Sequence, residues 1–215
     1  MEIQEELAYI KTRMEEMFSL VLNNCRTSFS YYLSDCGYDK DLVIDDDKVN
    51  QYEQEIESFC MQVLLKERAF SGDLRQVSGY LKMVENIERI GDNAYDIKWM
   101  ADDIKQLKKH PKINGMEELV ALVEVFLTDS MQAFVKNDMA LADDIIHRDD
   151  LVDKRYWAMV MELAELDERK IILPLDSVLQ AHIAKYLERM ADQATNISEW
   201  VVYIVSGYHK NRIII

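Results

Sequence analysis

The sequence is poor in the residues that interrupt helices or link chains covalently. Of 215 residues, six are glycine, two are proline and three are cysteine. Scarcity of glycine and proline is typical of a mostly helical protein. The three cysteines form no C-x-x-C pair and are odd in number, which fits small apolar residues or free thiols in a reducing compartment. We therefore expect a helical protein of the cytoplasm.

Basic charge and long apolar runs are also scarce. Forty acidic residues face 25 basic ones, and the resulting net charge of −15 argues against direct nucleic-acid binding because it repels phosphate backbones. An acidic surface attracts cations and basic partner surfaces instead. Apolar runs such as residues 200–205 fall far short of the roughly 20 residues that cross a bilayer. The first residues lack a basic region followed by an apolar stretch, so we expect neither a membrane span nor a secretory signal.

The most informative feature that is present is an internal repeat. The segment IERIGDNAYDI at 87–97 returns 100 positions later as LERMADQATNI at 187–197. Glu, Arg, Asp, Ala and Ile recur in register, and most of the other positions carry similar residues. Such a repeat indicates that one structural unit is duplicated.

Apolar periodicity extends this repeat to the whole chain. It predicts a first helix from Leu7 to Leu33, a second from about Asp45 to Arg68, and a third that starts at a capping box formed by Asp73 and Gln76. Three further helices are predicted at about 116–136, 138–169 and 174–206. Because short loops favour antiparallel neighbours, we expect an all-α fold of two tandem three-helix up-down-up bundles related by internal pseudo-symmetry. The predicted units are residues 1–110 and 116–215, joined by a linker at 111–115.

The repeat also duplicates a pair of carboxylates. Like charges four residues apart on a helix repel each other, so a repeated pair suggests a compensating divalent cation with oxygen ligands. The second helix of each unit adds a second pair at the same spacing, and antiparallel packing would bring both pairs to one outward-facing site. The predicted ligands are Asp46, Asn50, Glu88 and Asp92 in the first unit and Asp149, Asp153, Glu188 and Asp192 in the second.

An alternative is that these carboxylates only form the solvated faces of acidic helices and bind no metal. Arg89 and Arg189 each follow a glutamate directly and can neutralise it without a metal. We place these arginines, together with Asp96 and Glu199, as ion-pair partners or supporting residues beside the ligands. No glutamate stands three residues before any of the four histidines, which disfavours a ferritin-like di-iron enzyme. No phosphate-binding loop, nucleophile elbow or zinc-protease motif is present either, so we expect a protein that is not an enzyme.

These motifs resemble a known family. Residues 87–92 and 187–192 resemble the two copies of the Leu-Glu-Arg-Ile-Gly-Asp signature of the PhoU family of phosphate-uptake regulators, and Asp47 to Asn50 resembles its Asp-x-Val-Asn element. The resemblance implies two three-helix bundles with multinuclear iron or zinc sites on the paired carboxylate motifs. It also implies a dimeric cytosolic regulator that couples a phosphate ABC transporter to a sensor histidine kinase and represses the phosphate-starvation response. Asn50 departs from the carboxylate that the motif requires.

Three hypotheses about function follow. The first is a metal-binding regulator of phosphate uptake, with iron, zinc or another divalent cation on surface carboxylates. The second is a helical scaffold or adaptor without functional metal, which Asn50 and the two arginines favour. The third and weakest is a carboxylate-bridged metal enzyme, which the expected outward-facing ligands and the absence of a placed general base disfavour.

Overall fold

The computed structural model describes residues 3–66, 71–107, 111–209 and 212–213. The described residues form six α-helices and two short strands that pair antiparallel, which confirms the predicted all-α class with six long helices. The elements are α1 (Ile3–Leu33), α2 (Asp46–Leu64), α3 (Ser71–Gln106), α4 (Asn114–Lys136), α5 (Met139–Glu168), α6 (Pro174–Ser206), β1 (Tyr208–His209) and β2 (Arg212–Ile213).

Two predicted helix boundaries differ from the structure. Helix α2 ends at Leu64 with Leu65 as its C-cap, four residues before the predicted end at Arg68, which lies outside the described residues. Helix α3 begins at Ser71, so Asp73 is its third residue and not its N-cap. The Asp73 carboxylate instead accepts a hydrogen bond of 2.7 Å from Gln4 Nε2 on α1. Acidic residues stabilise the first turn of a helix as well as its N-cap, so the position of Asp73 in the sequence does not distinguish between the two.

Local sequence explains the other helix ends. Asp45 caps α2 by accepting the backbone N–H of Lys48, and Asp138 caps α5 in the same way. Asn137 closes α4 in the left-handed conformation (φ 50°), which asparagine tolerates better than most residues. Gly207 closes α6 at φ 85°. The turn between α4 and α5 is therefore only two residues long, and it forces these helices to pack antiparallel.

Contacts between the helices establish the up-down-up order within each unit. In the first unit, α1 and α3 meet start to start and end to end, whereas the end of α2 lies beside the start of α1. In the second unit, α5 runs opposite to both α4 and α6. The defining pairs are Gln4 with Asp73, Tyr31 with Asp102, Lys66 with Glu6, Asn24 with Asp45, Arg155 with Glu118, Arg148 with Asp129, and Asp149 with Thr195.

Helices α3 and α6 also pack against each other and join the two units. They run antiparallel, since Ser78 Oγ lies 3.5 Å from the Tyr203 hydroxyl near one end and Asp96 bonds Tyr186 near the other. The approach is close at Gly79, where an added Cβ would lie 2.5 Å from Ile204 Cγ1. Buried apolar side chains from all six helices form one continuous core across both units. None of the helices in the described part of the chain combines the length and apolar content that a membrane-spanning helix requires.

The two units differ in the length of their second helix. Helix α5 has 30 residues and α2 has 19. By the repeat, Asp46 corresponds to Asp149, yet α2 begins at Asp46 whereas α5 begins at Met139, ten residues before Asp149. The longer α5 therefore covers α6 over more turns than α2 covers α3. Trp99 on α3 is 60% exposed.

Candidate metal centre

Three carboxylates converge in the second unit. Asp153 on α5 and Glu188 and Asp192 on α6 each offer one oxygen, and these three oxygens all lie within 4.8 Å of one another. Two ligands on opposite sides of an ion at about 2.4 Å, a calcium-like distance, would be separated by about 4.8 Å. Zinc is usually tetrahedral with zinc–oxygen distances of about 2.0–2.2 Å, so its oxygen ligands stand about 3.4 Å apart and these oxygens would have to close in by roughly an ångström or more. The three side chains fit a shared divalent cation.

Asp149, the fourth predicted ligand of this unit, is oriented by a neighbour. It lies one turn before Asp153 on α5, and the Thr195 hydroxyl on α6 donates a 2.8 Å hydrogen bond to its Oδ1. Burial raises the pKa of the Asp149 carboxyl, and that hydrogen bond offsets part of the rise. One carboxylate oxygen of Asp149 is therefore held against α6, at the edge of the cluster.

Electrostatics in the second unit reflect the crowding of these carboxylates. Burial, and then the charges of Glu188, Asp149 and Asp153, raise the pKa of Asp192 to about 6. Glu188 is 9% exposed, so the expectation of an exposed acidic pair is wrong for this residue. Helix α5 packs against α6 at that point and brings Asp153 close to Glu188, which periodicity along α6 alone does not reveal. A half-buried group of like charges is the arrangement that a divalent cation would relieve.

The first unit is built differently because of Asn50. Its amide Nδ2 donates a 3.3 Å hydrogen bond to Asp46 Oδ2, one turn earlier on α2. Asp46 Oδ1 is buried and accepts no hydrogen bond from the described residues. Burial raises the pKa of Asp46, and the charge of Asp96 adds to the rise. Asn50 thus pairs with Asp46, which remains the only carboxylate of its α2 pair.

Glu88 and Asp92 lie opposite that pair on α3, with Glu53 as an unpredicted neighbour. Burial, and then the charges of Asp92, Glu53 and Asp46, raise the pKa of Glu88 to about 7. Glu53 lies seven residues after Asp46, two turns along the same face of α2, and this spacing is the signal that could have found it. The first unit therefore has a broader acidic face, whereas the second has a compact triad.

The two arginines have other direct partners than the glutamates that precede them, although the charge of Arg89 still lowers the pKa of Glu88. Arg89 Nη2 lies 2.5 Å from Glu85 Oε1, four residues earlier on α3. The guanidinium therefore pairs with Glu85 and not with the adjacent Glu88. The Arg189 guanidinium stands over the Tyr186 ring, 6.0 Å from its centroid. Residues one position apart on a helix point about 100° away from each other, so an arginine pairs more readily with a glutamate four residues away.

The two remaining predicted supporting residues occupy different positions. Asp96 accepts a hydrogen bond from the Tyr186 hydroxyl of α6, so it links the two units and also lies near Asp46. Glu199 is half-buried on α6, with its Oε2 buried.

Comparison with known proteins gives a consistent result along the whole chain. The sequence matches the PhoU domain over residues 13–98 and again over 116–201. It is 31% identical over 207 residues to the phosphate-specific transport system accessory protein PhoU of Edwardsiella tarda, covering 94% of this chain and 84% of that protein. The protein of the same name from Escherichia coli K12 is also 31% identical, over 209 residues, with the same coverage.

A solved structure extends the likeness to the fold. The crystal structure of PhoU from Pseudomonas aeruginosa superimposes with a TM-score of 0.89 and covers 96% of this chain and 100% of its own. At 24% identity this likeness concerns the fold alone. The arrangement of six helices in two repeated units is therefore shared with that structure.

Proposed function

The chain belongs to the PhoU family, and on that basis we propose that it is a metal-binding regulator of phosphate uptake. The observation that carries the proposal is the convergence of Asp153, Glu188 and Asp192 from two helices on one point. In the first unit the positions of Glu188 and Asp192 also carry carboxylates, Glu88 and Asp92, whereas Asn50 takes the place of Asp153. A divalent cation, which we expect to be iron or zinc, would offset the repulsion that raises the pKa of Asp192.

The ligands we propose follow from the geometry of each unit. In the second unit, Asp153, Glu188 and Asp192 hold the cation, and the free oxygen of Asp149 joins them when more than one ion binds. In the first unit, Glu88 and Asp92 face Asp46 and the amide of Asn50. Because Asn50 is neutral and pairs with Asp46, we expect the second unit to bind its cation more tightly.

We further propose the partners of this regulator from its relatives. The two curated relatives are named accessory proteins of a phosphate-specific transport system, which supports association with the ATPase of a phosphate ABC transporter. A sensor histidine kinase is the proposed second partner, and repression of the phosphate-starvation response is the proposed output. We expect the protein to act in the cytoplasm as a homodimer.

Elemental analysis tests the metal proposal. Protein is prepared without chelator as wild type and as the quadruple variant Glu88→Gln/Asp92→Asn/Glu188→Gln/Asp192→Asn. We expect iron or zinc in the wild type and its loss in the variant. Asp103→Asn/Asp150→Asn, which alters two exposed carboxylates outside the clusters, serves as a matched control and retains the metal. Equal metal content in all three proteins would show that the carboxylate clusters do not hold the metal.

A reporter assay tests the regulatory proposal separately. In a strain that lacks the gene for this chain, a phosphate-starvation promoter should be active even in high phosphate, and the wild-type gene should restore repression. Co-purification with the transporter ATPase checks the physical association. Unchanged reporter activity in the deletion strain would refute the regulatory role whatever the metal content.

A metal-free scaffold is the second candidate, and one contact favours it. The Lys185 ammonium lies 2.5 Å from Glu188 Oε2 and already neutralises part of the triad. This hypothesis predicts that chelator changes neither the melting temperature nor the oligomeric state. A ligand that binds only the folded state stabilises it, so a large loss of stability on chelation would exclude the scaffold hypothesis.

A further inference from the structure

We propose that Lys185 is a built-in counter-cation of the second cluster, which an incoming metal ion must displace from Glu188. The inference rests on the proposed function, because it concerns how that metal site is controlled. It assigns a role to a residue that lies outside the ligand set. The contact of Lys185 with Glu188 and Tyr156 is called the lysine clip below.

The lysine clip joins the two helices that build the site. Lys185 Nζ lies 2.5 Å from Glu188 Oε2 on its own helix, α6, and 5.3 Å from the centroid of the Tyr156 ring on α5. Tyr156 follows Asp153 by three residues, so the ammonium sits one turn along from the triad. A charge-assisted hydrogen bond and a cation–π contact both favour this position.

The exposed fractions of the two side chains indicate which of them can move away when a metal ion binds. The Lys185 side chain is 48% exposed, whereas that of Glu188 is 11% exposed. The long, flexible lysine side chain can swing into water, but the glutamate is fixed between α5 and α6. An ammonium beside Glu188 competes for its lone pairs and repels a divalent cation. Metal binding and the lysine clip therefore exclude each other, and the clip lowers the affinity of the second site.

The first unit differs at two of the three positions of the lysine clip, those of Lys185 and Tyr156. Glu85 stands 100 residues before Lys185, the spacing that relates the signature segments. Glu53 stands 103 residues before Tyr156, the spacing that relates Asp46 to Asp149. The cation and the ring on which it rests are thus both replaced by carboxylates. Among the described residues no basic side chain forms an ion pair with Glu88 or Asp92, although the charge of Arg89 lowers the pKa of Glu88, so we expect a displacement step at the second cluster and not at the first.

Titration with Mn²⁺ alone tests the proposal, with free ion followed by electron paramagnetic resonance. The parent protein and every variant made from it carry Glu88→Gln/Asp92→Asn, which silences the first cluster. Adding Lys185→Met should tighten binding roughly tenfold, a coupling of ordinary size for two linked binding events. Lys185→Arg retains the charge and should leave the affinity within about threefold of its parent. Lys82→Met is the matched control, since Lys82 pairs with Glu85 at the same three-residue spacing on α3.

Melting curves in the presence of chelator supply a second measurement. There Lys185→Met should lower the melting temperature, because the acidic cluster loses its counter-cation, and saturating Mn²⁺ should abolish or reverse the difference. Equal or weaker Mn²⁺ binding by Lys185→Met would overturn the lysine clip while leaving the metal site intact. Failure of both the parent and Lys185→Met to bind Mn²⁺ would refute the proposed metal site, and with it the displacement. An unchanged melting temperature in chelator would also overturn the clip.

Discussion

Replacing Asp192 by asparagine should stabilise the metal-free protein at neutral pH. Its carboxyl has a pKa of about 6 in the folded chain against an ordinary 3.8, because of burial and then the charge of Glu188. A rise of one pKa unit corresponds to about 1.36 kcal/mol, so the shift sets an upper limit of about 3 kcal/mol. Solvent screens a group that is partly exposed, and we therefore expect a gain of about 1–2 kcal/mol for Asp192→Asn.

The direction of the pH dependence follows from the raised pKa. Between about pH 4 and pH 6 the folded state holds more protons at Asp192 than the unfolded state does. The contribution of this residue to the free energy of unfolding therefore falls as the pH rises through that window, and the full penalty applies above it. Asp192→Asn removes the penalty, so wild type and variant should differ most at pH 7 and converge at pH 4.

Thermal melting in the presence of chelator checks both statements. For a chain of this length, a gain of 1 kcal/mol raises the melting temperature by about 2–4 °C, so we expect a rise of about 2–8 °C at pH 7. With saturating metal the order should reverse, since the variant has lost a ligand. Asp150→Asn, an exposed neighbour on α5, should melt like the wild type. A lower melting temperature for Asp192→Asn in chelator at pH 7 would refute the reasoning.

Two further predictions concern the packing that positions the clusters. Gly79→Ala should cost about 1 kcal/mol net, since its Cβ would meet Ile204 at 2.5 Å and the overpacking outweighs the better helix propensity. Gly72→Ala, which meets nothing within 4 Å, should be neutral or stabilising, and urea unfolding compares the two. Tyr31→Phe should lower the free energy of unfolding by about 1–3 kcal/mol, because it removes the hydroxyl that donates a 2.8 Å hydrogen bond to the buried carboxylate of Asp102. An unchanged urea midpoint for either destabilising variant would contradict these contacts.

The helices and their repetition were predictable because their signals are local. Apolar spacing of four and three places the first helix up to Leu33, where the structure also ends it, and the duplicated signature correctly indicated two similar units. The packing of α3 on α6 was not predictable in this way. The apolar spacing along a helix shows which face is buried but not which element covers it. Nothing in the sequence marked Gly79 as the point where α3 approaches Ile204 of α6.

The candidate site was predictable in composition but only partly in geometry. Spacing of four residues correctly placed Glu188 and Asp192 on one face, and antiparallel packing brought Asp153 to them. The burial of Glu188 was not predictable because it depends on how closely α5 packs against α6, which residue spacing along α6 does not show. Glu53 and Lys185 lie at helical spacing from Asp46 and Glu188, but their approach to Glu88 and to the Tyr156 ring depends on the packing of neighbouring helices.

The continuous core that runs through α3 and α6 has a consequence for cooperativity. Neither unit closes its apolar face alone, so we expect the chain to melt in one transition even though it carries two repeats. An ion bound at either cluster would then raise the same melting temperature, by an amount that depends on its concentration relative to its dissociation constant. Two sites separated along the sequence would thus report on a single folding equilibrium.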